Sequence, residues 1–278
     1  MSKVSIPRAG VIGFPIKHSK SPALHSHWLK RYGLPGEYVA LEFPPEKFEE
    51  SLRRLPRKGF KGVNITIPYK EVVLGFADSI TDRAALIGAA NTIHFHADGR
   101  IGADNTDGYG FIQNLRQNAP DWAPSSKPAL VLGAGGASRA IVWALLNEGA
   151  PSVRVANRTK IRAEKLASHF GAKVEVVDWD RASEAMEGAS TIVNTTSLGM
   201  EGQPEFRIDF DAADRDTLVT DIVYAPLMTP FLKKAAEQGL NTVDGLGMLL
   251  HQAVPGFESW FGRTPEVDED LRQAVLKA

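Results

Sequence analysis

The run Ala129-Leu130-Val131-Leu132 passes directly into Gly133-Ala134-Gly135-Gly136-Ala137-Ser138-Arg139-Ala140 and then into the helix-like stretch Ile141 to Asn147. An apolar run that ends in glycines and resumes as helix reads as strand, tight turn, helix, and this unit constrains the fold more than any other segment. Glycines there allow close approach of a backbone, and the start of a helix offers unbonded N–H groups, so the unit suits the pyrophosphate of a dinucleotide. Only Gly133-x-Gly135 matches the glycine spacing outright, and Ser138 stands where the full fingerprint has Gly or Ala. A turn of small residues is also compatible with a plain turn, so the loop needs its setting to carry meaning. In simple dinucleotide folds the unit comes first. Here a long segment precedes it, and that segment must build something else.

The βα alternation after the turn supplies the setting. Strands are expected at Ala129–Leu132, Ser152–Ala156, Val174–Val177, Thr191–Asn194, Thr217–Asp221 and Asn241–Val243, with helices in the gaps. This pattern predicts an α/β fold with a doubly wound, Rossmann-type parallel sheet. Upstream, the sequence predicts a first strand ending at Val11-Ile12-Gly13 and a helix from Ser21 to Arg31, with Pro22 in its first turn. A strand follows over Tyr38–Phe43, a helix over Glu46–Leu55, and a β-branched strand over Gly62–Ile67 that stops at Pro68. Asp82–Ile87 reads as helix, and the segments Asn91–Phe95 and around Ile101 as a hairpin about Asp98-Gly99. The Pro- and Ser-rich stretch Ala119 to Pro128 reads as a connection, and Leu246 to Phe261 as a long C-terminal helix.

Composition narrows the function classes. With 278 residues, 43% hydrophobic and 23% charged, the chain has the make-up of an ordinary globular protein of one large or two ordinary domains. A formal net charge of -1 gives no electrostatic reason to expect nucleic acid or an anionic membrane as partner. There are no cysteines, which removes disulfides, thiol catalysis and thiolate metal sites. The segment Met1 to Arg8 lacks an apolar signal core, and no apolar run approaches the length of a membrane span. The expected location is the cytoplasm.

The second strand of the βα series indicates the kind of dinucleotide. Sites for NAD commonly end this strand in Asp or Glu, which bonds the ribose 2′-hydroxyl. Here it ends in Val155-Ala156-Asn157-Arg158-Thr159, with Arg162 four residues after Arg158 and no carboxylate. If both arginines are helical they share a face. Two guanidinium groups and a hydroxyl suit a 2′-phosphate. The alternative is a solvated basic helix start, which the helix dipole disfavours. The reading is NADP(H).

Six further motifs carry a resemblance. Gly13-Phe14-Pro15-Ile16-Lys17-His18-Ser19-Lys20-Ser21-Pro22, Asn64-Ile65-Thr66-Ile67-Pro68-Tyr69-Lys70 and Gly88-Ala89-Ala90-Asn91-Thr92 lie upstream of the glycine turn. Asp104-Asn105-Thr106-Asp107-Gly108 is also upstream, and Asn194-Thr195-Thr196-Ser197-Leu198-Gly199-Met200 and Asp244-Gly245-Leu246-Gly247-Met248 follow it. In kind and order these resemble the signatures of the shikimate dehydrogenase family, and they span most of the chain. The resemblance implies NADPH-dependent, reversible reduction of 3-dehydroshikimate to shikimate, in the shikimate pathway of aromatic amino acid biosynthesis.

By that resemblance Lys70 and Asp107 are the catalytic pair, with Lys70 transferring the proton and Asp107 orienting it and the substrate. Ser19 and Ser21 match carboxylate-binding hydroxyls. Thr66, Asn91 and Gln252 match hydroxyl-binding positions, and Tyr224 a substrate contact. Two apart, Ser19 and Ser21 share a face if the segment is extended; Ser21 before Pro22 also reads as a helix N-cap. For Lys70 and Asp107 the bland reading is a salt bridge. The cofactor set is Gly133, Ala134, Gly135, Gly136, Ala137, Asn157, Arg158, Thr159, Arg162, Thr195, Thr196, Ser197, Ile222, Gly245 and Met248. Gly245 and Gly247 would let the backbone approach the nicotinamide; core packing is the alternative for Met248.

The expected domains are residues 1–106 plus 245–278 for substrate and 107–244 for NADP, with the active site in the cleft between them and hinge closure. A monomer or homodimer binding only small molecules is expected. One departure from the family pattern is Ser26, where Asn is common after His25. His25-x-His27 and His94-x-His96 lack the supporting carboxylates or spacing of a metal site and read as structural or solvated. A quinate/shikimate dehydrogenase, an aminoshikimate-directed paralogue and a non-catalytic NADPH-binding sensor remain as alternatives. The absent acid after the second strand argues against the first, and the presence of both Lys70 and Asp107 against the last.

Overall fold

The computed structural model describes residues 6–278. Met1 to Ser5, part of the segment read as lacking a signal core, lie outside the described residues. The chain forms two compact units, one running to Asp107 and resuming over Leu249–Ala278, the other spanning Gly108–Met248.

The first unit contains β1 (Arg8–Gly13), α1 (Ser21–Arg31), β2 (Glu37–Glu42), α2 (Phe48–Arg54), β3 (Phe60–Ile65), β4 (Ser79–Ile80), α3 (Asp82–Ile87), β5 (Thr92–Phe95) and β6 (Ile101–Asp104). Its sheet has the order β2-β1-β3-β5-β6-β4. The pairs of β1 with β2 and with β3 are parallel, whereas β5 is antiparallel to both β3 and β6. Alternation along the strands sorts side chains between two faces. Ile12, Val63, Ile65 and Ile93 pack with Phe48 and Leu52, while Ala9, Val11 and Tyr38 pack with Trp260.

Sequence and structure part at several ends. β3 stops at Ile65 rather than Ile67, because the chain turns at Thr66, whose carbonyl accepts from Tyr69 N at 2.9 Å. The expected helix over Glu46–Leu55 is a 3₁₀ turn, Pro45–Lys47, followed by α2. Ser21 is the first residue of α1, not its cap; Lys20 occupies the cap position without a side-chain bond.

The second unit holds α4 (Asp107–Asn118), β7 (Ala129–Leu132), α5 (Gly136–Asn147), β8 (Val153–Ala156), α6 (Lys160–Phe170), β9 (Val174–Val177), β10 (Thr191–Asn194), β11 (Leu218–Asp221), α7 (Pro230–Glu237) and β12 (Asn241–Val243). Asp107 itself closes the first unit. The sheet order is β12-β11-β10-β7-β8-β9, with every pair parallel. Counted from β7, that is the order 3-2-1-4-5-6 of a dinucleotide-binding sheet. The apolar run at β7 is continuous because both faces are covered. Ala129 and Val131 pack with Ile141, Leu145 and Leu166 on one side, and Leu130 and Leu132 with Phe231 and Leu232 on the other.

Helix α8 (Leu246–Phe261) begins in the second unit and continues in the first, which α9 (Glu269–Leu276) completes. No helix among the described residues is long and apolar enough to cross a membrane.

Candidate functional site

In the first unit, local hydrogen bonding aims a set of polar side chains at one place. Asn105 Oδ1 accepts from Asp107 N at 3.0 Å, and its Nδ2 donates to Ala89 O at 2.8 Å. This side-chain turn fixes the first residue of α4. Ala90 N donates to Lys70 O at 2.7 Å, anchoring the Lys70 backbone just past Pro68. Lys70 Nζ then donates to Asp107 Oδ2 at 2.5 Å. Asn91 Nδ2 donates to the other oxygen, Asp107 Oδ1, at 2.9 Å and to Gln252 Oε1 of α8 at 3.1 Å.

The Asn91 amide has only one workable orientation. Its Oδ1 accepts from Thr106 N at 2.8 Å and from Thr92 Oγ1 at 3.0 Å, so its NH₂ must face Asp107. Thr106 Oγ1 also lies 2.8 Å from Gln252 O, tying this turn to α8. Below it, Asp104 accepts from Thr81, from Arg83 and from Asn105 N. Burial pushes the Asp104 carboxyl up, but the bonds from Arg83 and Thr81 outweigh it and hold the group below its ordinary value. Asp107 is nearly enclosed, with 5% of its side chain accessible, while Lys70 keeps 15%. The ammonium therefore spends one N–H on Asp107 and retains others for an incoming oxygen.

A second polar chain runs through the same unit. Tyr38 is buried, and burial pushes its phenol well up against the opposing pull of the nearby Ser21 hydroxyl. Tyr38 OH donates to Asn64 Oδ1 at 2.7 Å, and Asn64 Nδ2 donates to Asn91 O at 3.1 Å. A buried chain thus runs from Tyr38, beside Ser21, to the Asn91 backbone. Ser19 Oγ accepts from Ser21 N at 3.3 Å. The Thr66 side chain is half-buried, and among the described residues no protein group bonds its hydroxyl. His25 stacks on Tyr38 with ring centres 3.8 Å apart, and neither ring nitrogen has a partner. Full burial lowers its pKa to about 3, so it serves as a neutral aromatic plate. His94 Nδ1 lies 2.9 Å from Ser259 Oγ.

The second unit gathers the glycine turn and the ends of β8, β10 and β11 at one sheet edge. Gly133 has φ +115, and a Cβ there would lie 2.5 Å from Thr195 Oγ1. A Cβ on Gly135 would meet nothing within 4 Å, which leaves room for a ligand against that backbone. The Ala134 and Gly135 amides are already used, donating to Asn157 Oδ1 at 3.1 Å and Ser138 Oγ at 2.9 Å. The first-turn amides of α5, Gly136 and Ala137, have no intrahelical acceptor and are left for an anion. Ser138, the departure from the fingerprint, also bonds Thr195 Oγ1 at 2.7 Å. It joins the glycine turn to the turn after β10.

Arg158 and Thr159 precede α6, so the shared-face argument fails for Arg158; only Arg162 lies in the first helical turn. Both arginines and Thr159 are exposed, and neither guanidinium has an ion-pair partner among the described residues. Thr159 makes no cap bond, so its hydroxyl is also available. Free amides, open space at Gly135 and an unpaired cationic pair fit a phosphorylated dinucleotide. Thr195 and Thr196 are half-buried and Ser197 exposed. Ile222 packs against the core cluster that contains Met248, and Tyr224 follows β11, half-buried. Gly245 and Gly247 are needed by the protein itself. A Cβ would lie 2.6 Å from Asp221 O at the first and 1.9 Å from Asn114 Oδ1 at the second.

Three family models match: the shikimate dehydrogenase substrate binding domain over residues 11–93, shikimate / quinate 5-dehydrogenase over 116–205, and the shikimate 5′-dehydrogenase C-terminal domain over 245–276. The chain is 63% identical to the shikimate dehydrogenase (NADP(+)) of Paracoccus denitrificans, over 97% of this chain and 96% of that one. The chain belongs to the shikimate dehydrogenase family. The structure of the Thermus thermophilus shikimate 5-dehydrogenase in complex with NADP(H) and shikimate is similar at TM-score 0.87 and 37% identity, covering 98% of this chain and 99% of that one. The quinate dehydrogenase of Corynebacterium glutamicum in complex with NAD gives TM-score 0.90 at 30% identity, covering 98% and 99%.

Within this shikimate dehydrogenase fold, Lys70, Asp107, Asn91 and Gln252 form one bonded cluster. Ser19 and Ser21 are not bonded to it among the described residues; the Tyr38–Asn64 chain beside Ser21 runs to the Asn91 backbone. Sequence reasoning did not single out Tyr38, Asn64, Asn105 or Thr106. The last three stand inside quoted motifs, and that position was the available signal; Tyr38 sits in an ordinary strand and gave none.

Proposed function

We infer that this chain is an NADP-dependent oxidoreductase that reversibly reduces 3-dehydroshikimate to shikimate, in the shikimate pathway of aromatic amino acid biosynthesis. The first unit carries the substrate and the second the dinucleotide. The observation that carries the residue roles is the Lys70–Asp107 bond, buttressed by Asn91 and Gln252. When bound, NADPH supplies the hydride that reduces the ring carbonyl carbon.

The chain's part is the proton and the positioning. Lys70 donates a proton from Nζ to the carbonyl oxygen as that oxygen gains charge, and recovers one from solvent at its accessible face. In the reverse direction Nζ first gives a proton to solvent at its accessible face, and the resulting neutral amine takes the hydroxyl proton. Asp107 holds the ammonium through Oδ2 while Asn91 saturates Oδ1, so the carboxylate cannot swing away. Ser19 and Ser21 bind the ring carboxylate, Thr66, Gln252 and, by exchanging its bond to Gln252, Asn91 the ring hydroxyls, and Tyr224 the substrate near its carboxylate. Arg158, Thr159 and Arg162 hold the 2′-phosphate, and the α5 N-terminus the pyrophosphate. The cytoplasm is the proposed location.

Oxidation of shikimate and of quinate, each with NADP and with NAD, tests the assignment. Turnover of shikimate with NADP is expected to dominate. Turnover confined to quinate with NAD would replace the reading, and no turnover in any pairing would favour a sensor. Lys70→Ala is expected to lower kcat by roughly 100-fold or more with the shikimate KM little changed. Near-normal kcat in that variant would exclude Lys70 as the proton donor.

A further inference from the structure

The end of β11 contains a buried charge that the reaction does not use. Asp221 has no accessible surface. Its Oδ1 accepts from Asn194 Nδ2 at 3.0 Å and Val223 N at 2.9 Å, and its Oδ2 from Thr229 Oγ1 at 2.7 Å. All three partners donate, so the arrangement is built around an acceptor-only carboxylate. Burial pushes the group up to about 6, against the pull of the bonds from Val223, Thr229 and Asn194.

Each partner belongs to a different piece of the sheet edge. Asn194 ends β10, and its Oδ1 accepts from Thr196 N at 3.0 Å and Thr196 Oγ1 at 2.8 Å. Val223 lies in the segment that leaves β11 through Ile222. Thr229 caps α7, accepting from Leu232 N. On the far side, Gly245 approaches so closely that a Cβ would lie 2.6 Å from the Asp221 carbonyl oxygen and the Ile222 carbonyl. The neighbouring Thr195 bonds Leu132 O at 2.8 Å and Ser138 at 2.7 Å, which ties the turn after β10 to the glycine turn.

We propose that Asp221 is a positioning residue for the dinucleotide, fixing the turn after β10 and the segment after β11 in the register in which both meet the bound nucleotide. The proposal deepens the cofactor reading above and rests on it. Asp221 touches no ligand. It acts by holding Thr195, Thr196 and Ile222 before the nucleotide arrives, so that binding does not have to order them.

The test measures NADP affinity by isothermal titration, with kcat at saturating NADP and the shikimate KM, on four proteins. Wild type is read first: failure to bind NADP sinks the cofactor reading and this proposal with it. Given binding, Asp221→Ala is expected to weaken NADP by about tenfold or more, the scale of lost bonds to a buried charge, with kcat at saturation within about twofold. Thr229→Val, which keeps the volume but removes both the donor to Asp221 and the cap bond to Leu232 N, is expected to weaken NADP about threefold or more, and Thr229→Ser, which keeps both bonds, to match wild type. A purely structural Asp221 would lower the melting temperature while leaving NADP affinity unchanged; that result overturns the proposal. If Asp221→Ala does not fold, the same comparison between Thr229→Val and Thr229→Ser decides it.

Discussion

Replacing His25 with Phe should remove a specific part of this protein's acid sensitivity. His25 is fully buried between Tyr38, Trp28, Phe257 and Trp260, with both ring nitrogens unbonded. Burial lowers its pKa from 6.5 to about 3. A base whose folded pKa is depressed binds fewer protons in the native state than in the unfolded one, so its contribution to stability is intact above the unfolded pKa. It is lost as pH falls from about 6.5 towards 3. Between pH 7 and pH 5 the unfolded imidazole takes up a proton that the folded one refuses, a loss of about 2 kcal/mol. Phe keeps an aromatic plate on Tyr38 and carries no titrating group. Urea unfolding of wild type and His25→Phe at pH 7, 6 and 5 gives the two slopes. Other titrating groups with depressed values, such as His94 and His251, are common to both proteins and cancel in the difference. The variant should lose about 2 kcal/mol less than wild type over that interval. Equal losses in the two proteins would refute the reasoning, because they would mean that His25 finds a proton, and a partner for it, inside the fold.

Two further substitutions probe the two ligand sites. Tyr38→Phe leaves the buried Asn64 Oδ1 without its donor and should cost about 1–3 kcal/mol in urea unfolding, with the shikimate KM rising more than kcat falls; unchanged stability and KM would break the proposed link from Ser21 to Asn91. Arg158→Ala should raise the NADP KM by about tenfold or more at low salt, with kcat at saturation preserved and the preference over NAD reduced; an unchanged ratio of NADP to NAD use would remove Arg158 from the phosphate site.

The parts of this chain that were legible in its sequence are those where one local cause suffices. The strands β7, β9 and β10 and the helices α1 and α3 carry their ends in their own residues, and their expected bounds match. The doubly wound sheet followed from βα alternation alone. Where a boundary depends on a distant partner, reading along the chain misplaces it. The two-residue β4 exists only by pairing with β6.

The same division holds for the candidate sites, and it explains what kind of residue escapes notice. Lys70, Asp107 and Arg158 carry charges whose uses can be argued from type. Asn157 was read as a ligand group, yet its Oδ1 is engaged by Ala134 N and its Nδ2 by Thr159 O. Gly245 and Gly247 were read as room for a ring, yet that room is filled by Asp221, Ile222 and Asn114. Tyr38 and Asp221, each linking segments far apart in the chain, have no sequence signature because their function is a relation between elements. A buried donor or acceptor must find a partner somewhere in the fold, and the partner's position, not the residue's type, decides what it does. A charged or hydroxyl group can therefore be proposed as a binder from the chain, whereas a group that holds others in place becomes readable only once the fold has brought its partners to it.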